Sequence, residues 1–98
     1  MKHDVQVAIQ IVPLSGGNAY TLIDQAIEVI AASGIPFLVG PMETVMQGPY
    51  DKLMDIAKRA QQACLDHGAN EVVVTLKVHA KKSEPLTWEE KGLNRRSF

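Results

Sequence analysis

Glu43, Thr44 and Gln47 sit in a short, half-apolar stretch, GPMETVMQGP, with a Gly-Pro pair at each end. A carboxylate, a hydroxyl and a carboxamide on so tightly bracketed a segment would keep a fixed direction, which recognition of a small polar molecule requires. Gln10 upstream, and Thr75 and Lys77 downstream, add an amide, a hydroxyl and an ammonium. With apolar Val12 beside them, these groups could pair with the polar edge of a heterocycle and balance the charge of an ion. No nucleophile stands next to a base in the sequence, so the chemistry suggested is binding rather than bond breaking.

Regular elements must bring these residues together. Val5, Val7, Ile9 and Ile11 alternate with Gln6, Ala8 and Gln10, the period of a strand with one buried face. Leu14-Ser15-Gly16-Gly17-Asn18 interrupts it, and Asn18 is placed to cap a helix over 19–32. Ala19, Leu22, Ile23, Ala26, Ile27 and Ile30 give that helix an apolar stripe, Gly34 a left-handed end and Pro36 a stop. Residues 35–39 read as a short strand, and Gly40-Pro41 turns the chain into a third over 42–47. Pro49 suits the first position of a second helix, whose stripe is Leu53, Ile56, Ala57, Ala60, Ala63 and Cys64 and whose end is His67-Gly68. Val72, Val74, Leu76 and Val78 then alternate with Val73, Thr75 and Lys77 in a last strand.

The order βαββαβ with right-handed crossovers predicts an α+β, ferredoxin-like sandwich: a four-stranded antiparallel sheet with two helices on one face. Residues 1–78 form this domain. Residues 79–98 are a polar tail, in which Thr87 to Lys91 could make one helical turn ended at Gly92. Alone, that tail is expected to be mobile, with Trp88 and Phe98 seeking a neighbour such as a second subunit.

The sheet face away from the helices collects Gln6, Ala8, Gln10 and Val12 from the first strand and Val73, Thr75 and Lys77 from the last. In the third strand Met42 and Met46 are assigned to the core, where Met fills gaps. That turns Glu43, Val45 and Gln47 to the open face, and a slip of one residue would reverse it. A solvated sheet face is the plainer reading. Yet Ala8, Val12, Val45 and Val73 are more apolar than water-facing strands usually are, and suit an oligomer interface with a small polar pocket.

Composition narrows the function further. Of 98 residues, 46% are hydrophobic and 21% charged, and the net charge is -1, so no global field draws in nucleic acid or anionic lipid. One cysteine, Cys64, rules out an internal disulfide, an all-cysteine metal cage and an iron–sulfur cluster, and most simply packs in the core. The first loop holds neither the CxxC of a metallochaperone nor the phosphate-binding Arg of an acylphosphatase. The central strands hold no aromatics on which RNA bases could stack. His3, His67 and His79 lie far apart in sequence and read as surface or capping residues. Ser15-Gly16-Gly17 before a helix could hold an anion but is more simply a turn. With no apolar run long enough for a signal or a membrane span, a cytoplasmic location is expected.

"IQIVPL", then "IDQAIEVIAASGIPFLVGPMETVMQG", then "YDKLMDIAKRAQQACLDHGANEVVVTLKV" resemble, in order and spacing, the small thiamine-binding proteins of the MTH1187/YkoF-like (UPF0045, DUF77) group. The likeness covers residues 5–78 and is most specific at "SGIPFLVGPMETV". It implies a ferredoxin-like fold, assembly into homodimers or homotetramers through sheets, and binding of thiamine or its hydroxymethylpyrimidine portion without catalysis or a further cofactor. The family often carries an acidic residue where this chain has Gln47, a change that would weaken attraction for a cation if the position lines the pocket. On this reading the ligand-binding residues are Gln10, Val12, Glu43, Thr44, Gln47, Thr75 and Lys77. Gln10, Gln47 and Thr75 would serve the aminopyrimidine and Glu43 the thiazolium, with Lys77 first of all an ion-pair partner for Glu43. A charge-assisted hydrogen bond contributes roughly 1.5–3 kcal/mol, whereas a micromolar site needs about 8 kcal/mol. Ring burial must provide the remainder. The rival expectation is an ACT-like oligomerisation module with no thiamine ligand; an enzyme acting on a small heterocycle has the least support.

Overall fold

Alternation along the first strand is resolved by its two neighbours. The computed structural model describes residues 4–84, 86 and 87. Its elements are β1 (Val5–Ser15), α1 (Ala19–Ala32), β2 (Phe37–Val39), β3 (Thr44–Gly48), α2 (Tyr50–Asp66) and β4 (Glu71–His79). The sheet order is β2-β3-β1-β4, with every neighbouring pair antiparallel. This is the ferredoxin-like α+β arrangement expected from the βαββαβ order.

Val7, Ile9 and Met46 face the helices and are at most 3% exposed, joined by Val5 at the start of β1. Leu22, Ala26 and Ile30 of α1 meet them from above, as do Leu53, Ile56, Ala57, Ala60 and Cys64 of α2. The small residues on α2 let the two helices approach closely, so that the Cys64 thiol donates to the Leu22 carbonyl at 3.3 Å. The Asn18 side chain accepts from the Thr21 amide at 3.2 Å and starts α1 as its sequence predicts. Pro49 is the N-cap of α2 and Tyr50 its first residue, one position later than the sequence suggests.

Three boundaries differ from expectation, each for a local reason. Met42, assigned to the core, is 74% exposed. The Gly40 amide donates to the Glu43 carbonyl at 2.9 Å and closes a four-residue turn with Pro41 and Met42 at its tip. β3 therefore begins at Thr44, and β2 shrinks to three residues. β1 continues past the point where its apolar alternation ends, through Pro13 to Ser15. Its pairing with β4 shifts register between Pro13 and Ser15, as expected where a residue without an amide hydrogen enters a ladder. β4 is the outermost strand, and one of its edges is unpaired within the described chain.

The chain after β4 returns to the sheet. Leu86 is buried, and the Thr87 carbonyl accepts a hydrogen bond from Gln6 Nε2 at 3.1 Å. The helical turn anticipated from Thr87 onward, together with Trp88 and Phe98, lies outside the described residues.

Candidate functional site

The turn between β2 and β3 shapes one wall of a cavity of about 250 Å³ at the end of the sheet. Ile9 and Ile11 of β1, Ile23 and Ile27 of α1, and Val39 of β2 make it apolar; Gln10, Glu43 and Thr44 also line it, and of these Thr44 turns its side chain to the helix side. Its volume is below the roughly 300–1,000 Å³ of drug-sized sites and suits a small ring system. Among described residues, neither Gln10 nor Thr44 spends its side chain on a hydrogen bond. Thr44 pairs with Ile9 across the β1–β3 ladder and is buried on the helix side of the sheet, whereas Gln10 is exposed on the other side.

Register fixes the open face. Gln6, Ala8, Gln10 and Val12 of β1 stand opposite His79, Lys77, Thr75 and Val73 of β4, and Gln6 and Ala8 stand opposite Gln47 and Val45 of β3. Glu43, Val45 and Gln47 thus share the open side, as the alternation suggests. Lys77 Nζ lies 3.0 Å from Glu43 Oε2 and 3.2 Å from Oε1, so one ammonium holds both carboxylate oxygens. The pair reaches from β4 to the start of β3 across β1, whose residue opposite Lys77 is Ala8; a methyl group leaves the lysine stem room to cross. Val12 and Thr75 are exposed on the same face beside Gln10.

Gln47 is drawn elsewhere. Its Oε1 accepts from Gln6 Nε2 at 3.0 Å, at the far end of the face. Gln6 is only 2% exposed, its two amide hydrogens are committed to Gln47 and Thr87, and its own Oε1 is buried without a donor among the described residues. Of the seven sequence candidates, the fold gathers Gln10, Glu43 and Thr44 around the cavity and Val12, Thr75 and Lys77 on the adjoining face. Gln47 stands apart. The apolar walls Ile23, Ile27 and Val39 were not among the candidates. A signal for them exists: Ile23 and Ile27 lie four residues apart beside the fully buried Leu22-Ala26-Ile30 stripe and remain only half buried.

Residues 7–95 match the profile of a family described as "Thiamine-binding protein". The chain belongs to this family. It is 40% identical over 86 residues to a UPF0045 protein of Clostridium perfringens, covering 87% of this chain and 90% of the relative. A DUF77 domain of unknown function from Bacillus cereus superposes with a TM-score of 0.89 at 41% identity, covering 96% of this chain and 91% of that one. A Thermotoga maritima protein, provisionally assigned to thiamine biosynthesis or salvage, has a TM-score of 0.81 at 32% identity over 95% and 99% of the two chains.

In this member of the thiamine-binding family the other reactive groups have structural employment. Burial pushes the Cys64 thiol above its ordinary pKa, which keeps it protonated and unreactive. His67 Nδ1 lies 2.8 Å from the Ala63 carbonyl at the end of α2. No helix among the described residues is long and apolar enough to cross a membrane.

Proposed function

We propose that this protein is a non-enzymatic binder of thiamine or its hydroxymethylpyrimidine portion, working as a homo-oligomer. The observation carrying this reading is the cavity: an apolar slot on the helix side of the sheet that holds the uncommitted Thr44 side chain, with Gln10 and Glu43 at the adjoining sheet end, in a chain of the thiamine-binding family. A flat aminopyrimidine gains from burial against Ile11, Ile23 and Val39 and from the Thr44 hydroxyl, which can both donate and accept. The thiazolium cation would lie outward, beside Glu43. Thr75 and Val12 border that position, whereas Gln47 is spent on Gln6.

Absence of catalysis in this reading rests on residue types. Among the described residues the cavity lining contains no Cys, His or Asp, and the carboxylate of its one acid, Glu43, already has a lysine partner. Self-association is supported by Val12, Val73, Leu76 and Val78, all more than a third exposed on or beside the outermost strand.

Titration calorimetry with thiamine and with hydroxymethylpyrimidine tests the reading. Binding of at least one at micromolar to sub-millimolar concentration is expected. No heat and no thermal shift with either at millimolar concentration, from a protein that is still oligomeric, would leave an oligomerisation module instead. Glu43→Gln should weaken thiamine by roughly tenfold at most, because the pair is part-exposed and screened. It should leave the neutral pyrimidine almost unchanged, and equal losses for both would remove Glu43 from the charge-pairing role.

A further inference from the structure

β1 outruns one of its neighbours. Its pairing with β3 stops at Ile9 and Thr44, whereas its pairing with β4 continues to Ser15. β3 cannot follow, because the chain turns back at Gly40–Glu43. In an antiparallel ladder successive residues direct their N–H and C=O to opposite neighbours, which decides the groups left bare. The Glu43 carbonyl accepts from Gly40 and the Gln47 amide donates to Pro36, so the main-chain groups of Glu43, Val45 and Gln47 point to β2. Those of Thr44 and Met46 therefore point to β1, where Ile9 and Val7 are their partners in register. By the same alternation the N–H and C=O of Ile11 point to the β3 side, beyond its last pair. Among the described residues neither has a hydrogen bond there. Pro13, the next residue directed to that side, has no N–H to leave unpaired.

Ile11 lines the cavity together with the 40–43 turn. Gln10 and Glu43 border it too, although their side chains lie on the open face, so this end of the cavity reaches the level of the sheet, in the gap that β3 leaves. We infer that the main chain of Ile11 reads the amino edge of the ligand's pyrimidine: its N–H donates to the ring nitrogen beside the amino group, and its C=O accepts from that amino group. This rests on the thiamine-binding reading above and names the part of the ligand that the slot selects. A strand residue presents its donor and acceptor side by side to one neighbour, and an aminopyrimidine carries the complementary pair on adjacent atoms. The ring takes the place of the missing strand residue, with one face beneath Ile23 and Ile27 of α1. A pyrimidine with a carbonyl oxygen in place of the amino group sets acceptor against acceptor and donor against donor, and is rejected.

Amide hydrogen exchange followed by NMR, with hydroxymethylpyrimidine as the ligand, reads the contact directly. In the free protein the Ile11 amide should exchange much faster than those of Val7 and Ile9, which lie within the β1–β3 ladder. Bound hydroxymethylpyrimidine should slow Ile11 and leave the amide of exposed Tyr20 unchanged. The oxo analogue should bind about tenfold to a hundredfold more weakly, the range set by leaving a buried group unpaired. Ile11→Pro removes the donor without touching the β1–β4 ladder and should weaken hydroxymethylpyrimidine by a similar factor, whereas Ile11→Val should bind nearly as the wild type does. Were Ile11→Pro unfolded, the exchange and analogue measurements on the wild type decide. An Ile11 amide as slow as that of Ile9 without ligand would overturn the inference, because the edge would already be paired. Binding of hydroxymethylpyrimidine with no slowing at Ile11, or equal binding of the oxo analogue, would overturn it too and leave the thiamine reading intact. Failure of both thiamine and hydroxymethylpyrimidine to bind would remove that reading, and this inference with it.

Discussion

At the scale of single residues, the fold separates groups with chemical capacity from groups with chemical opportunity. Cys64 has the most reactive side chain in the described chain, yet it is buried and its thiol is turned to the Leu22 carbonyl. Desolvation raises its pKa, and the sign of the resulting linkage is definite. Below the thiol's ordinary value, near pH 9, folded and unfolded chains are equally protonated at this site. As pH rises further the unfolded chain loses its proton first, so the contribution declines until the folded-state pKa is passed. Urea unfolding at about pH 8 and about pH 10 should therefore show the stability gap between wild type and Cys64→Ala narrowing at the higher pH. A constant gap would mean that the thiol ionises equally easily in both states. The burial of Cys64 was legible from its place on the α2 stripe. The Glu43–Lys77 pair was legible too, from the period of two once a face is chosen. The isolation of Gln47 was not, since it depends on Gln6 and on Thr87, which is 81 positions further along the chain.

Among the elements, the β2–β3 turn positions the site and is the one the alternation misread. Met42 continues the apolar pattern of Thr44 and Met46, so period alone draws it into the strand; the hydrogen bond from Gly40 to Glu43 takes it out. A Cβ on Gly40 would stand 2.8 Å from the Glu43 carbonyl oxygen, too close for the turn to stay closed. Gly40→Ala should therefore cost about 1–2 kcal/mol of stability and also weaken ligand binding, because Glu43 moves with the turn. Gly34→Ala is the control. Gly34 has a φ of +81° with open space where a Cβ would go, so its substitution strains the end of α1 by about 1–2 kcal/mol but leaves the cavity alone. Thermal unfolding together with titration separates the two: matched losses of stability with unequal losses of affinity are expected. The returning segment is the second element that periodicity could not supply, because Leu86 is an isolated apolar residue in a polar stretch. Leu86→Ala should cost about 2–3 kcal/mol, a core-like value for a residue outside every helix and strand. A cost below about 0.5 kcal/mol in denaturant titration, the surface range, would show that this segment adds little to the fold.

For the whole molecule the open question is how the exposed apolar residues around β4 are covered. The open sheet face is already occupied near Gln6 by the return of Leu86 and Thr87, which disfavours face-to-face pairing over its full width. Among the described residues, none pairs with or covers the outer edge of β4. A second copy added antiparallel across this edge, with the two-fold axis at Thr75, sets Val72 against Val78 and Val74 against Leu76 on the helix side. It also sets Glu71 against His79, and Val73 against the aliphatic stem of Lys77. Backbone donors and acceptors of both edges are satisfied in the same step, which an isolated edge strand achieves only through water. Natural sheets discourage such pairing with charged residues on the edge, and the helix side of β4 carries none from Val72 to Val78. Leu76→Lys, with Val78→Lys as an independent second variant, should therefore shift the sedimentation-derived mass from a multiple of the chain mass to a smaller one at micromolar concentration. Tyr20→Lys, at an 82% exposed position on α1, should leave the mass unchanged. An assembly indifferent to both edge variants would exclude the edge and return the contact to the sheet face or the helix layer.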